Sequence, residues 1–227
     1  MKHLKTAFTI TSLVATLGIA SMASSASLGT LAIPFDPGTG NSNTNFMIDT
    51  NSELGIEIGI KAKGRFTGDL PATSAGVYSA TAGEGDPGLA LWNFDYSIDV
   101  GEFSSLSEYD VFLSIDFDPA VGNTNIAIFD VNLSGASGES LVQDSQNLGF
   151  SFWSLLGVPN AGGFDPNATG EYSLGLDVLL KGTSTSLATT SALVSVTAAP
   201  AVPLPAGLPL AVAGLGLLWA TGRRRKI

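Results

Sequence analysis

The chain has 227 residues, 44% hydrophobic and 13% charged, with one histidine and no cysteine, and its formal net charge is −10. Six of its ten basic residues sit at the two ends, so the body holds four basic against twenty acidic residues, a net −16 that would repel a phosphate backbone and excludes nucleic acid as a partner. That length and apolar content fit one domain with short appendages, and a body whose only nearby histidine is His3 has no means for a Ser-His-Asp triad, a thiol nucleophile or a Cys/His zinc site.

Lys2 and Lys5 precede a mostly apolar run from Ala7 to Ala20, and small residues fill 21–27, with Ser24 and Ala26 at the −3 and −1 places of a cut. This is the layout of a secretory signal peptide over residues 1–26, a signal helix cleaved between Ala26 and Ser27. It implies a Sec-type export machinery and a signal peptidase as partners.

The body, 27–198, is punctuated by Gly, Pro, Asn and Asp and alternates with period two. Gly55–Ala62 sets Ile56, Ile58 and Ile60 against Glu57, Gly59 and Lys61. Leu89–Val100 sets Trp92, Phe94, Tyr96 and Ile98 against Asn93, Asp95, Ser97 and Asp99. Val111–Phe117 sets Val111, Leu113, Ile115 and Phe117 against Phe112, Ser114 and Asp116, and Glu171–Leu180 repeats the pattern from Tyr172. Such segments predict strands with one apolar and one wetted face, paired antiparallel. Ser74-Ala75-Gly76 and Lys181-Gly182 predict turns. The fold class is all-β, an antiparallel β-sandwich for which a jelly-roll-like order is one arrangement. No amphipathic helix is expected inside the body, and Thr183–Ser191 reads as a Thr/Ser-rich stretch.

Asp116 and Asp118, two apart and followed by Asn123 and Asn125, are hard-oxygen ligands of the kind that Ca²⁺ takes, although the spacing lacks the glycine and distant glutamate of an EF-hand loop. A solvated strand edge with a turn is the favoured reading of the pair, and Glu84, Asp86 and Asp110 join them only if the fold brings them there. Trp92, Trp153 and Tyr96 are candidates for stacking on a sugar ring. Paired acids could hydrolyse a glycoside, but twenty acids on one body place some pair at the required separation by chance. No catalytic residue is assigned, and the chain is not expected to be an enzyme.

Pro200, Pro203 and Pro205 hold residues 199–206 extended. From Gly207 to Gly222 follows an apolar stretch that as a helix would rise about 24 Å, a thin span of a core roughly 30 Å thick. Arg223, Arg224, Arg225 and Lys226 then stop transfer and hold residues 223–227 in the cytoplasm.

Val202, Pro203, Leu204, Pro205 and Ala206, followed by an apolar helix and a terminal arginine cluster, resemble the VPLPA-CTERM sorting signal, a variant of the PEP-CTERM class of Gram-negative bacteria. The resemblance implies an exosortase-type membrane transpeptidase as partner, transient insertion in the inner membrane, and delivery to the cell surface or extracellular matrix. Members are often associated with exopolysaccharide and biofilm material. The body resembles secreted proteins carrying this tail, through Glu53 to Lys63, Ser114 to Pro119 and Phe164 to Tyr172. Together these readings describe an exported structural or adhesive protein, with a secreted carbohydrate-binding module or carboxylate-dependent glycan hydrolase as the alternative.

Overall fold

A computed structural model describes residues 26–37, 41–120 and 126–200. The chain forms two sheets around a shared core. The first contains β1 (Ser27–Gly29), β2 (Phe46–Asn51), β3 (Ile56–Gly64), the short β4 (Gly68–Asp69), β8 (Trp92–Asp99) and β11 (Leu141–Gln146). Its order is β1-β2-β3-β8-β11, with β4 against β3. The second has the order β10-β9-β12-β13-β5, built from β5 (Val77–Thr81), β9 (Tyr109–Asp116), β10 (Ile126–Asp130), β12 (Gly170–Leu180) and β13 (Ser186–Thr197). A small ribbon pairs β6 (Glu84–Asp86) with β7 (Leu89–Ala90).

The predicted apolar faces turn inward. Ile56, Ile58 and Ile60 of β3, Trp92 to Ile98 of β8 at alternate positions, Val111 to Ile115 of β9 and Tyr172 to Val178 of β12 are all buried in one cluster. β13 and β12 lie against β3, and β13 also lies against β2, so the two inner faces meet as a β-sandwich does. The predicted segment 89–100 is split between β7 and β8 at Leu91, whose N–H donates to the Gly83 carbonyl at 3.1 Å while its carbonyl accepts from Arg65 N at 2.8 Å.

The turn at Gly76, with φ of 74°, leads into β5, and Gly182, with φ of 71°, turns β12 into β13. Three features depart from expectation. β13 begins at Ser186, inside the stretch read as merely Thr/Ser-rich: Ala188, Thr190 and Ala192 point inward and are small enough to sit under the opposite sheet. One pairing is parallel, β13 with β5, from Leu193↔Val77 to Thr197↔Thr81. A five-residue helix, α1 (Ser151–Leu155), interrupts the β body, too short to show a helical period in sequence.

Candidate functional site

The most unusual chemistry lies on the outer face of the first sheet. Pleating puts Glu57, Gly59, Lys61 and Lys63 of β3 beside Asp99, Ser97, Asp95 and Asn93 of β8, in direct cross-strand register. Sequence alternation predicts that face to be wet. Instead Lys61 and Asp95 are 0% exposed, and Lys63 and Ser97 are buried.

Residues preceding β2 form the cover. Leu31, Phe35 and Phe46 make a second apolar cluster against this face, separate from the main core. Asn43 shapes it, donating from Nδ2 to the Leu31 carbonyl at 2.8 Å and accepting from Phe35 N at 3.0 Å. Ala32 N donates to Glu57 Oε1 at 2.9 Å, fastening the cover to β3. Gly59 is what lets it approach: a Cβ there would stand 2.6 Å from Leu31 Cδ2.

Beneath the cover the two lysines are treated differently. Lys61 Nζ donates to Asp69 Oδ1 at 2.8 Å, the Ser42 carbonyl at 2.8 Å and the Thr44 carbonyl at 3.3 Å, and lies 4.6 Å from the centroid of the Phe46 ring. That is a complete setting for an ammonium ion. Lys63 Nζ donates to Asn41 Oδ1. Burial and the neighbouring Lys61 charge push Lys63 below the ordinary lysine range, against the pull of Asp95 and Asp69.

Asp95 is 3.9 Å from Lys61 Nζ through Oδ2, yet neither of its oxygens accepts a hydrogen bond of ordinary geometry. Burial pushes its carboxyl up to about 6, while the nearby Ser145 side chain, Lys63 and Lys61 restrain the rise and Asp69 adds to it. Asp69 behaves oppositely: burial works to raise it, but bonds from Lys61, Ser42 and Thr44 hold it below the usual carboxylate range.

The Asp95 shift fixes the sign of a pH effect. Unfolded, the carboxyl releases its proton near 3.8; folded, near 6. Between these values the folded state binds more protons, so its stability rises as pH falls from about 6 to about 4, by an Asp95 contribution on the order of 3 kcal/mol. The Asp69 contribution is lost only at lower pH, as its own depressed value is passed. Asp95→Asn should remove the upper-window slope. Urea unfolding of parent and variant across that window measures it, and a constant difference between them would refute the assignment.

The Asp116 and Asp118 pair closes β9. Asp116 Oδ1 accepts from Asp118 N at 2.9 Å, and Asp118 Oδ1 accepts from Ala120 N at 3.0 Å, so each carboxylate commits one oxygen to the turn. Asp116 is buried, which raises its carboxyl, with Asp118 adding and backbone donors from Asp118 and Ser173 opposing. A cleft of about 340 Å³ opens beside them, lined by Phe117, Asp118, Pro119, Asn160 and Gly163. Burial pushes the Tyr172 phenol up to about 12, with Asp165, Asp116 and Asp118 contributing.

Glu84, Asp86 and Asp110 are engaged elsewhere. Glu84 accepts from Gly88 N, Asp86 pairs with Arg65 at 2.7 Å, and Asp110 pairs with Lys181 at 3.0 Å. Among the described residues no three acidic, histidine or cysteine side chains converge to hold a metal ion. Asn123 and Asn125 lie outside the described residues.

Trp92, Trp153 and Tyr96, the three candidates for sugar stacking, are all buried in the main core. Trp153 is the better placed of the tryptophans for exposure, but a core position is the favoured reading for both, and both are buried: α1 turns Trp153 under the sheets, where its indole N–H donates to the Asn147 carbonyl at 3.0 Å. None of the three rings can lie flat on a ligand without unpacking the core.

Ala26 and Ser27 stand at the start of the described chain, with Ser27 opposite Ile48 in the β1–β2 ladder. Residues 1–25, Val202, Pro203, Leu204, Pro205, Ala206 and the stop-transfer residues Arg223, Arg224, Arg225 and Lys226 lie outside the described residues. No described helix is long and apolar enough to cross a membrane. No family model matches the chain, and no curated protein matches it.

Lys63, Asn41 and Asp95 were not singled out in the sequence. The usable signal was the apolar spacing of Leu31, Ile33 and Phe35 in a Pro-bounded segment, which needs a surface to cover.

Proposed function

We propose that this chain is an exported protein of the Gram-negative cell surface or extracellular matrix, with a structural or adhesive role. One observation carries the reading: Val202-Pro203-Leu204-Pro205-Ala206, an apolar run and four terminal basic residues stand in the order and position of a sorting tail. The signal peptide, the thin membrane helix, the exosortase-type partner and any jelly-roll-like order within the sandwich belong to the same reading.

Two features of the body support it. The first strand begins at Ser27, directly after the inferred signal cut, and the last ends at Thr197, so both address segments fall outside the strands and are separable from them. All four basic residues of the body are engaged internally or in ion pairs: Lys61 with Asp69, Lys63 with Asn41, Arg65 with Asp86 and Lys181 with Asp110. The exterior is therefore dominated by carboxylates, which suits a hydrated, soluble surface component. The burial of Trp92, Trp153 and Tyr96 removes the stacking candidates and so supports the structural reading.

The test separates sorting from plain anchoring. A plain anchor needs apolar length and flanking charge, so Pro203→Ala with Pro205→Ala should leave it inserted. A transpeptidase needs the extended backbone of the motif, and alanines there let helix extend through it. The double variant should accumulate uncut in the inner membrane, while the parent loses its basic tail and reaches the surface. Fractionation with an antiserum against the body reads this. Equal size and distribution of the two proteins would reject the sorting function.

A further inference from the structure

Lys63 and Asp95, buried on the outer face of the first sheet, and Asn41 in the segment that covers them have the composition of a reacting centre. Lys63 Nζ touches the side-chain carbonyl oxygen of Asn41, and the Asn41 amide nitrogen Nδ2 is buried with no hydrogen-bond partner. Asp95 lies on the same face, diagonal to Lys63 across the β3–β8 ladder, fully buried and with both oxygens unmatched. An amine, a primary amide and an acid brought together at one place are the components of an amide exchange.

We propose that Lys63 and Asn41 become joined by a self-formed isopeptide bond, with Asp95 as the proton carrier. The neutral Lys63 amine attacks Asn41 Cγ, forming the Nζ–Cγ bond as the carbonyl electron pair moves to Oδ1. Collapse of that intermediate breaks Cγ–Nδ2. Protonated Asp95 hands its proton to Nδ2, which leaves as ammonia, and takes one from the attacking nitrogen, ending as it began. One amide replaces another, and no oxidant, reductant or co-reactant enters.

The surroundings select Lys63 over Lys61. Lys61 Nζ donates to oxygens of Ser42, Thr44 and Asp69, none of which belongs to a side-chain amide that it could attack. Lys63 faces an amide carbonyl and is pushed toward the neutral amine by burial. Asp95, pushed up to about 6, keeps a protonated fraction at neutral pH. The product would fasten the cover to β3, closing a loop of 22 residues of sequence separation. This inference concerns the body alone and stands independently of the sorting reading.

Mass spectrometry of the full chain decides it. Glu53 and Glu57 lie between Asn41 and Lys63, so digestion at glutamates puts them on separate peptides. The folded parent should yield the two peptides linked, lighter than their sum by one ammonia. Lys63→Arg and Asn41→Ala should abolish the linked species, and Lys61→Arg should retain it. Asp95→Asn should slow linkage by about a hundredfold, with Asp95→Glu faster than Asp95→Asn. An unlinked parent overturns the proposal with no variant needed. Full linkage in a folded Asp95→Asn chain, as judged by circular dichroism, overturns the role given to Asp95.

Discussion

Replacing Lys61 by Met is expected to destabilise the body by about 3–5 kcal/mol, the cost of breaking a buried ion pair by removing one partner. Methionine fills most of the lysine volume, so packing against Phe46 changes little. The loss is electrostatic. The Ser42 and Thr44 carbonyls lose their donor, Asp69 loses its 2.8 Å partner, and Asp95 is left buried with only Lys63 near it. Asp69 is partly exposed and can turn to water, but Asp95 cannot. Combining Lys61→Met with Asp95→Asn should therefore cost less than the sum of the single changes, because the second removes the stranded charge. Urea unfolding of the four chains gives the cycle. A loss below about 1 kcal/mol for Lys61→Met would show that the cover opens freely enough to hydrate the site.

Trp153→Ala should cost a similar amount, about 3–5 kcal/mol. The indole is 4.4 Å from the Phe152 ring by centroids, stacks with Phe94 of β8 at 6.4 Å, and meets the Phe129 ring of β10 edge-on at 5.8 Å. Phe94 and Phe129 belong to different sheets, so one side chain from α1 plugs the sandwich between them. Truncation would open a cavity that neither sheet can close and remove one of the two donors to the Asn147 carbonyl, leaving only Phe150 N. Trp153→Phe keeps the ring contacts and should lose much less. If Trp153→Ala left the urea midpoint unchanged while altering glycan binding, the ring would be a ligand platform and not a core residue.

The strands with clean alternation were legible before any coordinates. In β3, β8, β9 and β12 the large apolar residues recur every second position, and one buried face is enough to produce that record. The opposite face was misread at Lys61 and Asp95 because a charged residue in a strand ordinarily marks solvent, and nothing within β3 or β8 records what covers them. That information sits some twenty or more residues away, in a segment where Leu31, Ile33 and Phe35 alternate over too few positions to tell what they cover. The helix α1 was missed for a related reason: five residues are fewer than the window in which a 3.6-residue period can be seen. The parallel β13–β5 pairing is a property of topology, to which local pattern is blind. The proposed reacting centre falls under the first of these, since its asparagine lies in the cover and its lysine and aspartate on the supposedly wet face.

The position of β13 has a mechanical consequence. It is the last described strand, flanked by β12 over most of its length and by β5 along its final residues, Leu193 to Thr197. A pull on the C-terminal end along the strand enters at Thr197 and acts on both ladders at once, so their hydrogen bonds are loaded in shear and must fail together. An edge strand peeled from one end would lose them one at a time. For a protein held by that end, the rate of forced unfolding would be set by this clamp, and tension would be borne by the longest strand of the body while the covered face of the first sheet stays out of the load path.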